Sequence, residues 1–457
     1  MTASATLLSI AALLWLDGGT QAPPREIVVD PRGPVSTIGA ALAIARDGDR
    51  LTIRAGTYRE PTIFVNRSVR ITGDAGSVID GQMERALMIV TADDVTIRGL
   101  TLRGTGSSHV EDRAAIRVLD ARGCRIEQNR LEDTFFGISL ERTTHCVVAG
   151  NEVRGSGTAT GPGGNAIHVW QSDSVRVEGN LVTGHRDGIY FEFVRGGIVT
   201  GNTSRNNLRY GLHFMFSDDC RYEDNVFREN ASGIAVMYTR RVHLARNRFE
   251  HNWGPAAYGL LLKDITDSEV RDNVFDGNTV GLYLEGANRL RIEGNSFRSN
   301  GWALRILANS RDNLVSGNTF IANTFDVGTN SRQNFSRLTG NSWDRYRGYD
   351  LDRDGYGDVP FAPVRLFALV VEQTPAALVL LRSPIVDLLD FAERVMPMLT
   401  PATLVDERPL MPALSRMATG RRGEGSSSGP AVGGETPMRR NPAAAPLART
   451  TRPPSGP

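Results

Sequence analysis

Net charge is almost absent from this chain. Its 457 residues carry 52 Lys and Arg against 51 Asp and Glu, a formal charge of +1 at pH 7. So small an imbalance gives no electrostatic footprint for nucleic acid. Cysteine is as scarce, three in all (Cys124, Cys146 and Cys220), and no pair has metal-ligand spacing. Long apolar runs are missing too. The opening run, Leu7 to Leu16, is too short to cross a bilayer, and the Leu- and Val-rich stretch 364–399 is interrupted by Pro375 and Pro384. A hydrophobic content of 40% is still enough for a large core.

What is present is a repeat. Asn129, Asn151, Asn180, Asn202, Asn225, Asn247, Asn273, Asn295, Asn318 and Asn341 return mostly every 22 or 23 residues, with longer gaps of 29 after Asn151 and 26 after Asn247. That period is too short for helix pairs and fits one turn of a right-handed parallel β-helix. Alternating apolar residues five and three places before each asparagine, such as Val242 and Leu244, mark a first strand. Phe227, Phe249, Phe275, Phe297 and Phe320 follow two places after it, and a second asparagine often follows five places after. A glycine then opens a second strand, as in GLHFMF from Gly211 and GIAVMY from Gly233. Asn at a bend tolerates left-handed backbone, and stacked side-chain amides can bond their copies above and below. A row of glycan-binding asparagines is the other reading, but inward positions cannot touch a ligand. About thirteen turns are expected, a rod on the order of 60 Å long.

The ends differ from the middle. Residues 1–22, with small Thr20 and Ala22 before Pro23, read as a secretory signal peptide, although the basic n-region is missing and an uncleaved anchor or later start codon stays open. A short helix from Ser36 to Ala45 is expected to cap the open solenoid end. The β-helix is expected over 23–348 and an Asp-rich turn over 349–362. Short helices are expected within 363–412, and a disordered tail over 413–457. A chain truncated after Arg347 is expected to keep a folded rod. The cysteines fall five places before ladder asparagines and read as small buried hydrophobes. Cys124 and Cys146, on successive turns, are near enough for a disulfide, but side chains stacked in parallel bridge poorly.

Three constellations could carry chemistry. In the second strands Leu212, Phe214, Phe216, Ile234, Val236 and Tyr238 are expected inward, leaving His213, Met215, Ala235 and Met237 outward. Met215 and Met237 then share a column about 5 Å apart, with His213 about 7 Å from Met215 on the same face. Two thioethers and an imidazole suit a soft ion, above all Cu(I). His168, beside Trp170, is on that face two turns earlier, with Tyr190 and Glu192 between. The plain alternative is that both methionines pack beneath a loop or the C-terminal helices. In DLDRDGYGD, Asp350, Asp352, Asp354 and Asp358 occupy positions 1, 3, 5 and 9 of a calcium loop with Gly355 at 6, but Phe361 stands where the closing glutamate belongs. Ca²⁺ binding and a simple acidic turn are both open. Asp187, Glu192, Asp218, Asp219 and His185 could serve a polysaccharide-active enzyme. Glu192 has no acid beside it in its column, and solvated turn residues are the favoured reading of this group.

Taken together, YGLHFMFSDD from Tyr210, GIAVMY, NSWDRYRGYDLDRDGYGDVPF from Asn341, LLRSPIVDLLDFAERVMP and PLMP resemble one family over about residues 25 to 412. This is NosD, the periplasmic β-helix proteins of copper-site maturation in nitrous oxide reductase. The resemblance implies a non-enzymatic periplasmic protein, peripheral at the membrane, and strengthens the reading of Met215, Met237 and His213 as Cu(I) ligands, with His168 a further candidate by its place on the same face. It further implies docking on an ABC transporter permease with its ATPase, a copper lipoprotein as donor, and apo-nitrous oxide reductase as recipient. The apolar end segment, with Leu380, Leu381, Leu388, Leu389 and Phe391, would seat on the permease. A uronate lyase, epimerase or glycoside hydrolase is the alternative, since fold does not assign function.

Overall fold

The computed structural model describes residues 23–108, 111–155, 163–331, 333–396 and 403–411. The signal peptide expected at 1–22 and the tail expected from 413 lie outside the described residues.

Each solenoid turn adds one short strand to each of three parallel sheets of 14, 13 and 12 strands. One turn runs through Arg221–Glu223, Val226–Arg228 and Ser232–Arg240. Strands pair with the equivalent strand one turn on, so like stacks on like: Tyr222 on Leu244, Phe227 on Phe249, Phe214 on Val236. The chain is a right-handed parallel β-helix of about 13 turns. The strand around each phenylalanine goes beyond the sequence reading, which saw only two strands per turn. With three residues it carries one inward side chain, too few for alternation to appear.

The inside of the rod is built from columns. Each ladder asparagine donates its Nδ2–H to the Oδ1 of the next, from Asn129 to Asn341, at 2.9–3.0 Å. The same Oδ1 also accepts the preceding asparagine's backbone N–H, so a buried bend leaves no donor idle. Asn207, Asn230, Asn252, Asn278, Asn300 and Asn323 form a second ladder. Phe227, Phe249, Phe275, Phe297, Phe320 and Trp343 stack with centroids 4.1–5.7 Å apart. The glycine column is dictated by backbone crowding. A Cβ at Gly233 would lie 2.3 Å from the carbonyl oxygen of Gly259. Cys124, Cys146 and Cys220 are free thiols buried in these columns, so Cys124 and Cys146 are unbridged.

Both ends are closed. Helix α1, Ile38–Ile44, begins at Thr37, whose hydroxyl accepts from Ala40 N–H, and buries Ile38, Ala41 and Leu42. A strand not foreseen in the sequence, Glu26–Val29, precedes it and pairs with Arg50–Ile53. At the other end the ladder terminates on Asp406. Its fully buried carboxylate accepts from the N–H of Gly340 (3.0 Å) and Asn341 (2.9 Å), from Asn341 Nδ2 (2.9 Å) and from Trp343 Nε1 (3.1 Å). An anion ends a row of amide donors that would otherwise point at nothing. A chain cut after Arg347 lacks this stopper, so its last turn should fray although the inner turns stay closed.

Two helices follow: α2, Leu366–Gln373, and, after a 3₁₀ turn at Pro375–Leu380, α3, Pro384–Val395. They pack on the outer face of the 12-stranded sheet, where Phe367, Val371 and Val386 meet Val280, Trp302 and Phe325. The acids of these helices act as fasteners. Glu372 takes both its bonds from Arg305 (2.5 and 2.6 Å), Asp390 pairs with Arg365, and Glu393 accepts from Leu366 N–H. Of the five expected docking residues, Leu381 and Leu389 pack inward against this cluster. Leu380, Leu388 and Phe391 are exposed, as are Val379, Ile385 and Val395, which sequence reasoning had not singled out. Ile385, Leu388, Phe391 and Val395 recur at helical spacing, so one flank of α3 is an apolar stripe without cover among the described residues.

Candidate metal centre

Three columns run along the outer face of the 12-stranded sheet. One reads Trp170, Glu192, Met215, Met237, Lys263 and Glu285. The next reads Ser139, His168, Tyr190, His213, Ala235 and Leu261. Met215 and Met237 are direct register partners on adjacent turns. Both are half-buried and neither belongs to a buried hydrophobic cluster. The C-terminal helices cover Val280, Trp302 and Phe325, several turns further on. The reading in which they bury the methionines therefore finds no support in the packing.

His213 is on the outer face as expected, yet it is only 3% exposed. Tyr190 stands edge-on to it at 5.1 Å and Tyr210 lies against it at 4.8 Å. Both ring nitrogens are buried without a hydrogen-bond partner. An unpartnered buried imidazole between aromatic rings, next to two thioethers, has the donor set that a soft monovalent ion accepts. His168 is not brought to the same point. Tyr190 is stacked between it and His213, 5.0 Å from His168, whose Nδ1 meets Asn165 Nδ2 at 3.0 Å. Burial pulls the His168 pKa down to about 4. His168 thus stays neutral at any ordinary pH, one turn beyond direct reach of the methionines.

The third column is the corner that follows the strand: Asp120, Arg142, Gln171, Phe193, Phe216, Tyr238, Asp264 and Gly286. All have left-handed backbone, with φ between 46° and 64°. Such corners favour Gly, Asn and Asp, and bulky residues are outliers there. Phe216 and Tyr238, expected inward, are 42% and 43% exposed, because the left-handed corner breaks the alternation and swings the side chain out. With Phe193 they form an exposed stack, ring centroids 5.1 and 5.2 Å apart. The three aromatics sit on the turns that carry Glu192, Met215 and Met237.

The carboxylate candidates separate by burial. Asp218 and Asp219 are turn residues tied to Arg240 and Arg241. Glu192 has Trp170 and Met215 as its column neighbours. Asp187 is a correction: far from being a solvated turn residue, it is fully buried, and its Oδ1 accepts from Tyr210 N–H. His185 is buried between Thr183 O and Thr134 Oγ1, and desolvation lowers its pKa to about 4. It is a structural residue.

In the acidic turn, ligand oxygens of Asp350, Asp352 and Asp354 lie within 4.8 Å of one another. Asp358 instead accepts from Leu351 N–H, and Arg408 pairs with Asp354 at 2.6 Å. Asp350 Oδ2 accepts from Gly355 N–H and Asp354 Oδ1 from Tyr356 N–H, while the buried Asp350 Oδ1 has no partner, and the turn sits against the segment that stops the ladder.

A family described as periplasmic copper-binding protein (NosD) matches residues 156–348, the span holding the methionine pair. A probable ABC transporter binding protein NosD of Pseudomonas aeruginosa is 32% identical over 390 residues, 81% of this chain and 90% of that protein. One of Stutzerimonas stutzeri, with the same name, is 29% identical over 424 residues, 88% of this chain and 93% of that protein. Among solved structures, an alginate lyase in complex with a trisaccharide superimposes with a TM-score of 0.51 at 13% identity, covering 72% of this chain and 90% of its own. The Dettilon tailspike protein gives 0.51 at 12% identity, covering 65% and 68%. Likeness at such identities speaks to the solenoid alone.

Proposed function

The chain belongs to the NosD family, and on that premise we propose that it is a periplasmic carrier of Cu(I), with Met215, Met237 and His213 as the ligands. Copper is cargo here rather than a resident cofactor. The observation that carries the reading is the register pairing of Met215 with Met237 beside a buried imidazole whose nitrogens have no partner. Thioether sulfur prefers the soft ion over Zn²⁺. His168, two turns before His213, serves the aromatic wall rather than the ion. The opening apolar segment acts as the export signal.

Delivery follows from where the site lies. It is on an outer sheet face, beside the exposed Phe193, Phe216 and Tyr238, where a second protein can approach the ion directly. The recipient is apo-nitrous oxide reductase and the donor a copper lipoprotein. The exposed flank of α3, on the same sheet face, seats on the permease of an ABC transporter whose ATPase lies beyond the membrane. No described helix is long and apolar enough to cross a bilayer, and we read the attachment as peripheral, through that flank. The Asp350–Asp354 trio would hold Ca²⁺, if any, as a fastener for the rod's end.

The runner-up, a polysaccharide-active enzyme, needs an accessible acid–base pair. Asp187 is buried, and Asp218 and Asp219 are ion-paired. We read the protein as non-enzymatic.

A competition titration against a chromophoric Cu(I) chelator tests the copper site. The wild type is expected to win copper from the chelator, and Met215→Leu/Met237→Leu to lose it. Equal affinity in the two proteins would remove the site.

A further inference from the structure

Behind the thioethers lies a buried polar cluster that copper ligation alone does not use. Asp187 is 0% exposed. Its Oδ1 is occupied by Tyr210 N–H at 3.2 Å, but its Oδ2 has no hydrogen-bond partner. That oxygen faces His213 Nδ1 at 3.8 Å, Arg186 Nε at 3.4 Å and Arg209 Nη1 at 3.9 Å. Arg186 Nε and His213 Nδ1 are themselves buried and unpartnered. Three buried polar atoms therefore converge on one point without satisfying one another. Each such orphan is left unsolvated and unbonded at a cost to the fold, so a cluster of them calls for a functional explanation.

The chemistry of imidazole supplies one. A neutral ring carries its proton on one nitrogen and its lone pair on the other, and only the lone pair can take a metal. Asp187 Oδ2 is an acceptor 3.8 Å from His213 Nδ1, which has no hydrogen-bond partner. A closure of about 1 Å makes the contact an ordinary hydrogen bond. On the other side of the ring, the next residue in the column is the small Ala235. Tyr190 and Tyr210 hold its plane.

We propose that Asp187 is the positioning residue of the copper site: it accepts the Nδ1 proton of His213 and thereby presents Nε2, lone pair outward, to Cu(I) beside Met215 and Met237. The inference rests on the ligand reading above. Arg186 and Arg209 place positive charge against the carboxylate and keep it from swinging toward the ion itself. Metal-bound histidines commonly give their second N–H to a carboxylate, and loss of that partner typically lowers metal affinity 10–100-fold. Asp187 is 26 residues before His213 in the chain and reaches it only because adjacent turns stack.

The test reads the ring before copper is added. In the copper-free full-length protein, ¹⁵N-histidine labelling with long-range ¹H–¹⁵N correlation reports the tautomer of each of the seven histidines, and His213→Gln assigns the signal. The wild type should carry the His213 proton on Nδ1. Asp187→Asn, whose amide oxygen still accepts, should keep that tautomer, whereas Asp187→Ala should shift it toward Nε2–H. In the chelator competition, Asp187→Ala should lose 10–100-fold in Cu(I) affinity and Asp187→Asn clearly less. A wild-type proton on Nε2 would overturn the proposal even if the Ala variant failed to fold, and so would a tautomer unchanged in Asp187→Ala. Failure of the ligand reading is a separate result: the double methionine variant would then match the wild type in copper affinity whatever the tautomer of His213.

Discussion

The inside and the outside of the same strands follow opposite rules. Inward, turn after turn repeats one residue: the Asn129–Asn341 ladder, the Phe227–Phe320 stack, the glycine column. Outward, the columns change identity between Asp187 and Tyr238. There a left-handed corner takes three aromatics where other turns place Asp, Arg, Gln or Gly, a strand position takes two successive methionines, and a carboxylate is buried. Repetition keeps stacked turns in register, since each turn is stabilised mainly by its neighbours. Departure from repetition on an exposed face has no such role, and it is where function is to be sought.

The sharpest way to break this contrast is to exchange insults between the two faces. Asn225→Ala strips the shared acceptor from Asn202 N–H and Nδ2, removes the Nδ2–H that reaches Val199 O, and leaves Asn247 Oδ1 with only the backbone N–H of its two donors. A loss of roughly 3 kcal/mol or more is expected in denaturant unfolding. Asp406→Ala should act similarly at the last turns, seen as lost amide protection around Asn341. Met215→Leu/Met237→Leu, a volume-conserving change on the outer face, should cost less than about 1.5 kcal/mol. Comparable losses from both kinds of variant would erase the distinction.

A second test concerns the outer face further along. Leu388→Glu/Phe391→Glu places charge on the exposed flank of α3, away from the buried side that holds Val386 and Leu389. Thermal stability and copper affinity should be unchanged while co-purification with the permease is lost. Undiminished recovery would move the docking surface onto the solenoid. This variant is a cleaner probe than truncation, which also removes Asp406.

A third test lies where the inner columns end. Asp326 follows Ala303 in the column of glycines, and burial raises its carboxyl to about 6, against the pull of Arg345 at 3.7 Å. The fold favours the protonated form. Its contribution is therefore fully present below the ordinary carboxylate pKa near 4 and is lost as pH rises through about 6. Asp326→Asn should match the wild type at pH 4 and exceed it at pH 7, on the order of 2 kcal/mol. Melting curves across that range would expose an opposite slope.

How much of this was legible in the sequence follows from the same contrast. The ladder asparagines and stacked phenylalanines were readable because their period is the repeat itself. So was the Met215–Met237 pairing, which needs only register. The outward swing of Phe216 and Tyr238 was not, because their residue types argue against a left-handed corner and alternation argued for the core. The burial of Asp187 depends on Tyr210 and His213 from the next turn, a contact that no local pattern encodes. Asp406 stops the ladder from 65 residues beyond Asn341, outside any repeat. On α3 the apolar residues were visible, but which flank is covered is decided by the cluster that Val386 and Leu389 join with Phe367 and Val371 of α2 and with Trp302, far away in the chain.

The central claim, that the departure from repetition on the outer sheet face is the copper site, is tested most directly by anomalous diffraction at the copper edge from crystals of the Cu(I)-loaded full-length protein. The account predicts one dominant peak within bonding distance of both Met215 Sδ and Met237 Sδ, with His213 Nε2 turned toward it. A dominant peak elsewhere, at the Asp350–Asp354 turn or along the cysteine column, with none between the two thioethers, would contradict it.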